Sequence, residues 1–185
     1  MTPWHIAQLN VGRAVAPPGS PELADFMAAL DRINALAESS PGFVWRLQSA
    51  SGNATDILVS DDPRSLVNMS VWESVESLFA FVYRTGHTEV MRRRREWFEK
   101  PVEAHQVLWW IPAGHIPTTD EALQRLGELR RNGPTEQAFT FSQCYSAPAE
   151  MAAPPSEPAP PDLHPCRAAP TGAAAAVPGK PRPAV

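Results

Sequence analysis

Polar and apolar residues alternate from His5 to Gly12, with Ala7, Leu9 and Val11 on one side and Ile6, Gln8 and Asn10 on the other. A period of two marks a half-buried strand. The turn-rich stretch Ala14 to Gly19 leads to Ser20-Pro21-Glu22, which reads as a helix start. Ser suits the N-cap, Pro the first turn, and an early acid the positive helix end. Leu23, Phe26, Met27, Leu30, Ile33 and Ala37 then form one helical stripe, closed by Ser39-Ser40-Pro41-Gly42. Alternation returns in Phe43 to Gln48, predicting Phe43, Trp45 and Leu47 opposite Val44, Arg46 and Gln48. Ile57 to Val59 reads as a short edge strand. Leu66 to Trp72 reads as the third main strand, with Val67, Met69 and Val71 opposite Asn68, Ser70 and Trp72. Val75, Leu78, Phe79, Val82 and Tyr83 share a helical face, Gly86-His87 interrupts it, and a basic helical piece runs on to about Phe98. His105 to Ile111 predicts a fourth strand, Thr118 to Asn132 a helix closed by Gly133-Pro134, and Ala138 to Ser142 a last short strand.

The order of elements is that of an α+β, ferredoxin-like βαββαβ chain, an antiparallel sheet with both main helices on one face, followed by a C-terminal helix. The strand faces carrying Ala7, Leu9, Val67, Met69 and Val71 are the natural ones for the helices to cover. The opposite face carries Gln8, Asn10, Arg46, Asn68, Ser70 and Trp72, too few charges for a bare surface and too many amides for a core. That mixture predicts the wall of a damp cavity, formed by two sheets closing face to face in a homodimer.

Composition divides the 185 residues in two. Residues 1–146 form the folded domain. Residues 147–185 hold 11 Pro and 12 Ala and no aromatic residue, the makeup of a disordered tail. The tail is neutral, so the net charge of −4 belongs to the body. A mildly acidic body is a poor match for nucleic acid. No stretch nears the roughly 20 apolar residues that span a bilayer, and the N-terminus lacks the basic start and apolar run of a secretory signal. Cys144 and Cys166 do not make a disulfide framework, so the expected setting is the cytoplasm.

Several segments together carry a family resemblance: Ala7-Gln8-Leu9-Asn10-Val11-Gly12, Phe43-Val44-Trp45-Arg46-Leu47, Val67 to Ser74, Phe81-Val82-Tyr83-Arg84 with His87, Arg92 to Phe98, and Leu108 to Gly114. Over about Trp4 to Phe141 the chain resembles the bacterial family called domain of unknown function 3291, in the dimeric α+β barrel superfamily. The resemblance implies a homodimeric barrel. Relatives in the superfamily include cofactor-free quinone-forming monooxygenases, haem-degrading monooxygenases, aldoxime dehydratases and chlorite dismutases, so the fold alone selects no reaction. The expectation is a monooxygenase-like enzyme acting on an aromatic or anionic small molecule. The alternative is a non-catalytic dimer that binds a ligand or haem.

His87 is the candidate catalytic residue. Phe79, Tyr83 and His87 stand at successive i+4 positions, and a helix break at Gly86 aims the imidazole towards the cavity. It suits a general base or a substrate contact, and equally a helix-end histidine bonded to a carbonyl. The resemblance adds haem as a cofactor with His87 as its axial ligand, since haem-using relatives place a proximal histidine in this region. Asn10, Arg46, Asn68 and Ser70 are candidate substrate contacts, with Trp72 or Trp110 against the substrate ring. Arg46, if buried, needs a partner, either a ligand anion or an acid such as Glu73 or Glu103. Arg92-Arg93-Arg94-Arg95 points in nearly every direction on a helix and reads as a solvated face, or as a rim guiding an anion. His5 and His105 both start strands, but no histidine or cysteine shows metal-ligand spacing.

Overall fold

A computed structural model describes residues 3–148. The tail beyond Pro148, and Cys166 with it, lies outside the described residues. Ala147 is buried, so the packed body reaches at least that far.

Strands β1 (Trp4–Arg13), β2 (Phe43–Arg46), β3 (Ser65–Trp72) and β4 (Gln106–Pro112) form a sheet in the order β2-β3-β1-β4, every neighbour antiparallel. Helix α1 (Ala24–Glu38) joins β1 to β2, α2 (Val75–Arg84) and α3 (His87–Trp97) join β3 to β4, and α4 (Thr119–Asn132) follows. This is the expected ferredoxin-like arrangement. Ser74 caps α2 by accepting the Ser77 N–H, and Thr118 caps α4 by accepting the Glu121 N–H. Ser20 differs. It precedes a single 3-10 turn, Pro21–Leu23, its hydroxyl makes no cap bond, and α1 proper begins at Ala24. Residues 57–59 form no strand, and the segment expected as a last strand is held by an isolated bridge between Leu108 and Phe139.

The two faces of the sheet are exchanged relative to the sequence expectation. Ala7, Leu9, Val67, Met69, Val71 and Trp109 pack against Ala122, Leu126 and Leu129 of α4, with Leu47, Ala54, Ile57 and Val59 filling in beside them. Helices α1, α2 and α3 lie over the amide-bearing face. There Ile6, Trp72 and Leu108 meet Leu78, Phe81 and Phe139 at one end, and Ala14 and Leu66 meet Leu23 and Trp97 at the other. A β–α–β connection has a fixed hand, so topology, not the polarity of the face, decides where the main helices go. The apolar face is buried by α4 instead. Both faces are thereby covered within one chain, and the amide-bearing face is not free to close against a second sheet.

Strand β2 departs from plain alternation. A bulge between Phe43 and Trp45 pairs Phe43 with Trp72 and Trp45 with Val71, so these two residues point to opposite faces. Phe43 leaves the apolar set and meets Trp72 edge-on, with ring centroids 5.3 Å apart. His5 and His105 do not meet: β1 and β4 run antiparallel, with His5 opposite Ile111 and Asn10 opposite Gln106. Among the described residues, no helix is long and apolar enough to cross a membrane.

Candidate functional site

Between the amide-bearing face and helices α1–α3 lies a cavity of about 230 Å³. Its floor is the sheet, its roof is apolar (Leu30, Ile33, Val90), and Asn10, Arg46, Asn68, Ser70 and His87 all line it. It belongs to a single chain.

The floor is held by a hydrogen-bond chain centred on Gln8, which is only 3 % exposed. Antiparallel register sets Gln8 beside Ser70, and Asn10 beside Asn68. Gln8 Nε2 donates to Asn68 Oδ1 at 2.7 Å and to Ser70 Oγ at 3.1 Å, and Asn10 Nδ2 donates to Gln8 Oε1 at 2.8 Å. Ser70 Oγ also accepts from Trp72 Nε1 at 2.9 Å. With both lone pairs used, the Ser70 hydroxyl proton is left to donate elsewhere, and no acceptor meets it among the described residues. The Asn68 amide likewise keeps its NH₂ group without a partner among the described residues. Two donors thus remain for an oxygen in the cavity. Gln8 stands behind this arrangement and escapes sequence analysis, since nothing distinguishes it from its neighbouring amides.

His87 reaches the cavity by a different route from the one expected. Helix α2 stops at Arg84, and Thr85 adopts an extended backbone. The Thr85 hydroxyl donates to Phe81 O at 2.6 Å and accepts the His87 N–H at 3.2 Å. The break therefore belongs to Thr85. Gly86 has ordinary helical angles, and a Cβ there meets no atom nearer than 3.8 Å. Nor does His87 continue the Phe79–Tyr83 row, since its ring lies 4.9 Å from that of Phe81. Nδ1 lies 3.3 Å from Val82 O. A carbonyl oxygen only accepts, so Nδ1 carries the proton and Nε2 is left basic. Burial lowers the imidazole's pKa below its ordinary value, and the Val82 bond opposes the shift only in part. The ring is neutral at neutral pH.

The remaining candidates sort by contact. The Arg46 side chain is largely buried, 11 % exposed, and its partner is neither Glu73 nor Glu103. Its Nε donates to Glu38 Oε1 at 2.7 Å and its Nη1 to Gly52 O at 2.9 Å, which makes it a structural ion pair at the cavity edge. Trp72 and Trp110 do not line the cavity. Trp72 is fully buried beneath it, stacked on Phe81 at 5.0 Å, so a row of rings runs from Phe43 through Trp72 and Phe81 to His87. Trp110 donates to Tyr145 O at 2.7 Å, in the dry end of the same face. Four further residues of note line the cavity: Asn34 and Asn53, which sequence does not single out, Arg94, read there only as part of a solvated arginine run or rim, and His105, read only as a strand start. Asn34 Nδ2 donates to Asn53 Oδ1 at 2.7 Å and ties α1 to the loop after β2. Arg94 was findable, because it lies seven residues, two helical turns, beyond His87.

Among solved structures, the chain is similar to SnoaB, a cofactor-independent oxygenase from Streptomyces nogalater. The two are 18 % identical with a TM-score of 0.39, over 60 % of this chain and 95 % of that one. It is also similar to a putative antibiotic biosynthesis monooxygenase from Nitrosomonas europaea, 16 % identical with a TM-score of 0.40, over 61 % of this chain and 92 % of that one. A conserved protein from Methanosarcina mazei Go1 is 15 % identical with a TM-score of 0.40, over 60 % and 93 % of the two chains. No curated protein matches significantly. The family model described as domain of unknown function DUF3291 matches residues 5–155, and the chain belongs to that family.

Proposed function

We propose that this protein is a monooxygenase-like enzyme acting on an aromatic or anionic small molecule held inside the single-chain cavity. The observation that carries this reading is the presence, in one chamber with an apolar roof, of a neutral His87 with a basic Nε2 and of two unengaged donors on the sheet. His87 takes a proton from an acidic C–H or O–H of the substrate, and Asn68 Nδ2 and the Ser70 hydroxyl hold the oxyanion that results. An electron-rich anion of this kind can reduce dioxygen itself. A ring CH₂ becomes C=O, one oxygen atom enters the product and the other leaves as water.

Oxygen uptake tests it. An anthrone or a quinol added to the protein should draw oxygen down faster than in its absence. His87→Asn, whose amide can still donate to Val82 O, should abolish the difference. Flat uptake across electron-rich aromatics overturns the enzyme reading in favour of the second one, a non-catalytic binding protein. That second reading draws on the same bond to Val82 O, which is also how an inert histidine at a helix start is satisfied.

His87 keeps the Nε2 lone pair that an axial haem ligand needs, but the chamber does not fit the group. Its 230 Å³ falls below the roughly 300–1,000 Å³ of pockets that take drug-sized ligands, and a porphyrin is no smaller than those. A homodimer of this chain would have to bury some surface other than the amide-bearing face, which the helices already cover.

A further inference from the structure

Helix α3 presents His87, Val90, Met91, Arg94 and Trp97 to the cavity, spaced as one helical face. Of the four consecutive arginines, Arg92, Arg93 and Arg95 are exposed and Arg94 alone is half-buried and lines the chamber. Arg93 is tied to Asp25 and Glu96. Arg94 has no carboxylate or hydrogen-bond partner among the described residues, and only the Phe98 ring lies under its guanidinium, at 5.3 Å. The other lining arginine, Arg46, is already neutralised by Glu38. Among the described residues, no Asp or Glu lines the cavity. Nearby His105 is held neutral by burial and by the charges of Arg94 and Arg130. A guanidinium drawn partly out of water without a counter-ion is unfavourable, and it is offset when an anion arrives.

We propose that Arg94 is the ligand-selecting residue of the cavity, anchoring the carboxylate or phenolate oxygen of an organic monoanion whose apolar body lies against Val90, Met91 and Leu30. The inference rests on the proposal that the cavity holds a small molecule, and it assigns the charge of that molecule and the residue that reads it. Arg46, spent on Glu38, does not serve as the anchor. The five donors of Arg94 fit two oxygens of one carboxylate side by side.

The test uses two probes of nearly the same shape, 2-naphthoate and the neutral 2-acetylnaphthalene, titrated calorimetrically into the full chain. The wild-type protein should bind naphthoate about tenfold or more tightly than the ketone, the size expected of a charge-assisted contact. Arg94→Gln should lose that preference while its ketone affinity stays within about twofold, which shows at once that the variant is folded and its cavity intact. Arg94→Lys should fall between them. Arg92→Gln, on the exposed side of the same helix, should behave as wild type. A naphthoate preference that survives in Arg94→Gln, or a wild-type protein that binds both probes equally, overturns the assignment to Arg94 and leaves the cavity as a binding site. Failure of both probes to bind the wild-type protein overturns the cavity reading and this inference together.

Discussion

One sheet separates two unlike regions. On the α4 side Leu9, Met69, Trp109, Leu126 and their neighbours form one buried apolar cluster, and the Trp109 indole N–H and Glu121 carboxylate bond at the margin at 3.0 Å. On the α1–α3 side the same strands present Gln8, Asn10, Asn68 and Ser70, and the helices stand off far enough to leave a chamber. The strands alternate equally well on both sides, so alternation reports that two faces exist and says nothing of which is dry. What differs is the covering layer: α4 brings Ala122, Leu126 and Leu129 into direct contact with the sheet, whereas the other layer is split at Thr85. The dry side holds the sheet in shape, and the wet side can then carry polar groups. If so, damage to the dry side should unfold the protein, and equal damage to the wet side should spoil binding at smaller cost.

The largest effect is expected from Leu126→Ala. Leu126 is 1 % exposed in the α4 cluster, and truncating such a side chain costs about 3 kcal/mol through lost transfer and an unfilled cavity. Urea denaturation should show it. A cost under about 1 kcal/mol would mean that α4 is loosely seated and that the contrast between the faces is false.

Gln8→Leu comes next, at about 2 kcal/mol, because Ser70 loses a partner in a buried setting and Asn10 and Asn68 each lose one in a partly buried setting. Here the informative measurement is twofold. Stability should drop less than in Leu126→Ala, yet affinity for a cavity probe should fall further, since the two donors lose the group that orients them.

Acid separates the faces by pH window. His87 has a folded pKa depressed below 6.5 by burial, so as pH falls the unfolded chain takes up its proton before the folded one does. Its stabilisation is whole above pH 6.5 and is lost as pH drops from there through the folded value. His105 shifts with the same sign. On the dry side burial raises the Glu121 pKa, but the His115 and Trp109 hydrogen bonds outweigh it, and the net shift is below 4.5. That contribution is present above pH 4.5 and lost below it. The wet face should therefore weaken first. His87→Asn should flatten the urea midpoint against pH just below 6.5. Glu121→Gln should leave that limb alone and flatten only the region below 4.5. Coincident limbs in the two variants would break the comparison.

Much of this was legible in the chain. Helix α4 and its stop at Gly133, β1, β3 and β4, and the ferredoxin-like order all follow from period and turn chemistry. What escaped has local causes. The bulge at Val44 is a single extra residue in a short strand and leaves no mark on an alternating pattern, so Phe43 was assigned to the wrong face. The exchange of faces follows from the hand of the crossovers, which residue polarity does not encode. Thr85 breaks the helix through its own hydroxyl, while the eye goes to the adjacent glycine. For the site, the amides on neighbouring strands were visible because register follows from topology. The partner of Arg46 depended on where α1 ends, and the single inward arginine depended on the phase of α3 against its neighbours.

The smallest effect concerns the boundary between ligand-reading and structural charge. Glu38 is nearly half exposed, and its bond to Arg46 sits at the cavity edge. Glu38→Gln keeps a hydrogen-bond acceptor for Arg46 Nε and removes only the charge, while Gly52 O still holds Nη1. A pair with one partner in water contributes under about 1 kcal/mol, so the urea midpoint should scarcely move. Binding is the sharper readout. With its counter-charge gone, Arg46 becomes a second unneutralised guanidinium lining the same chamber, and 2-naphthoate should bind a few-fold more tightly, with the ketone unaffected. The double variant with Arg94→Gln should then recover part of the lost anion preference. If Glu38→Gln leaves naphthoate affinity unchanged, the field at the edge of the cavity is screened by solvent, and the distinction between a spent Arg46 and an available Arg94 loses its electrostatic basis.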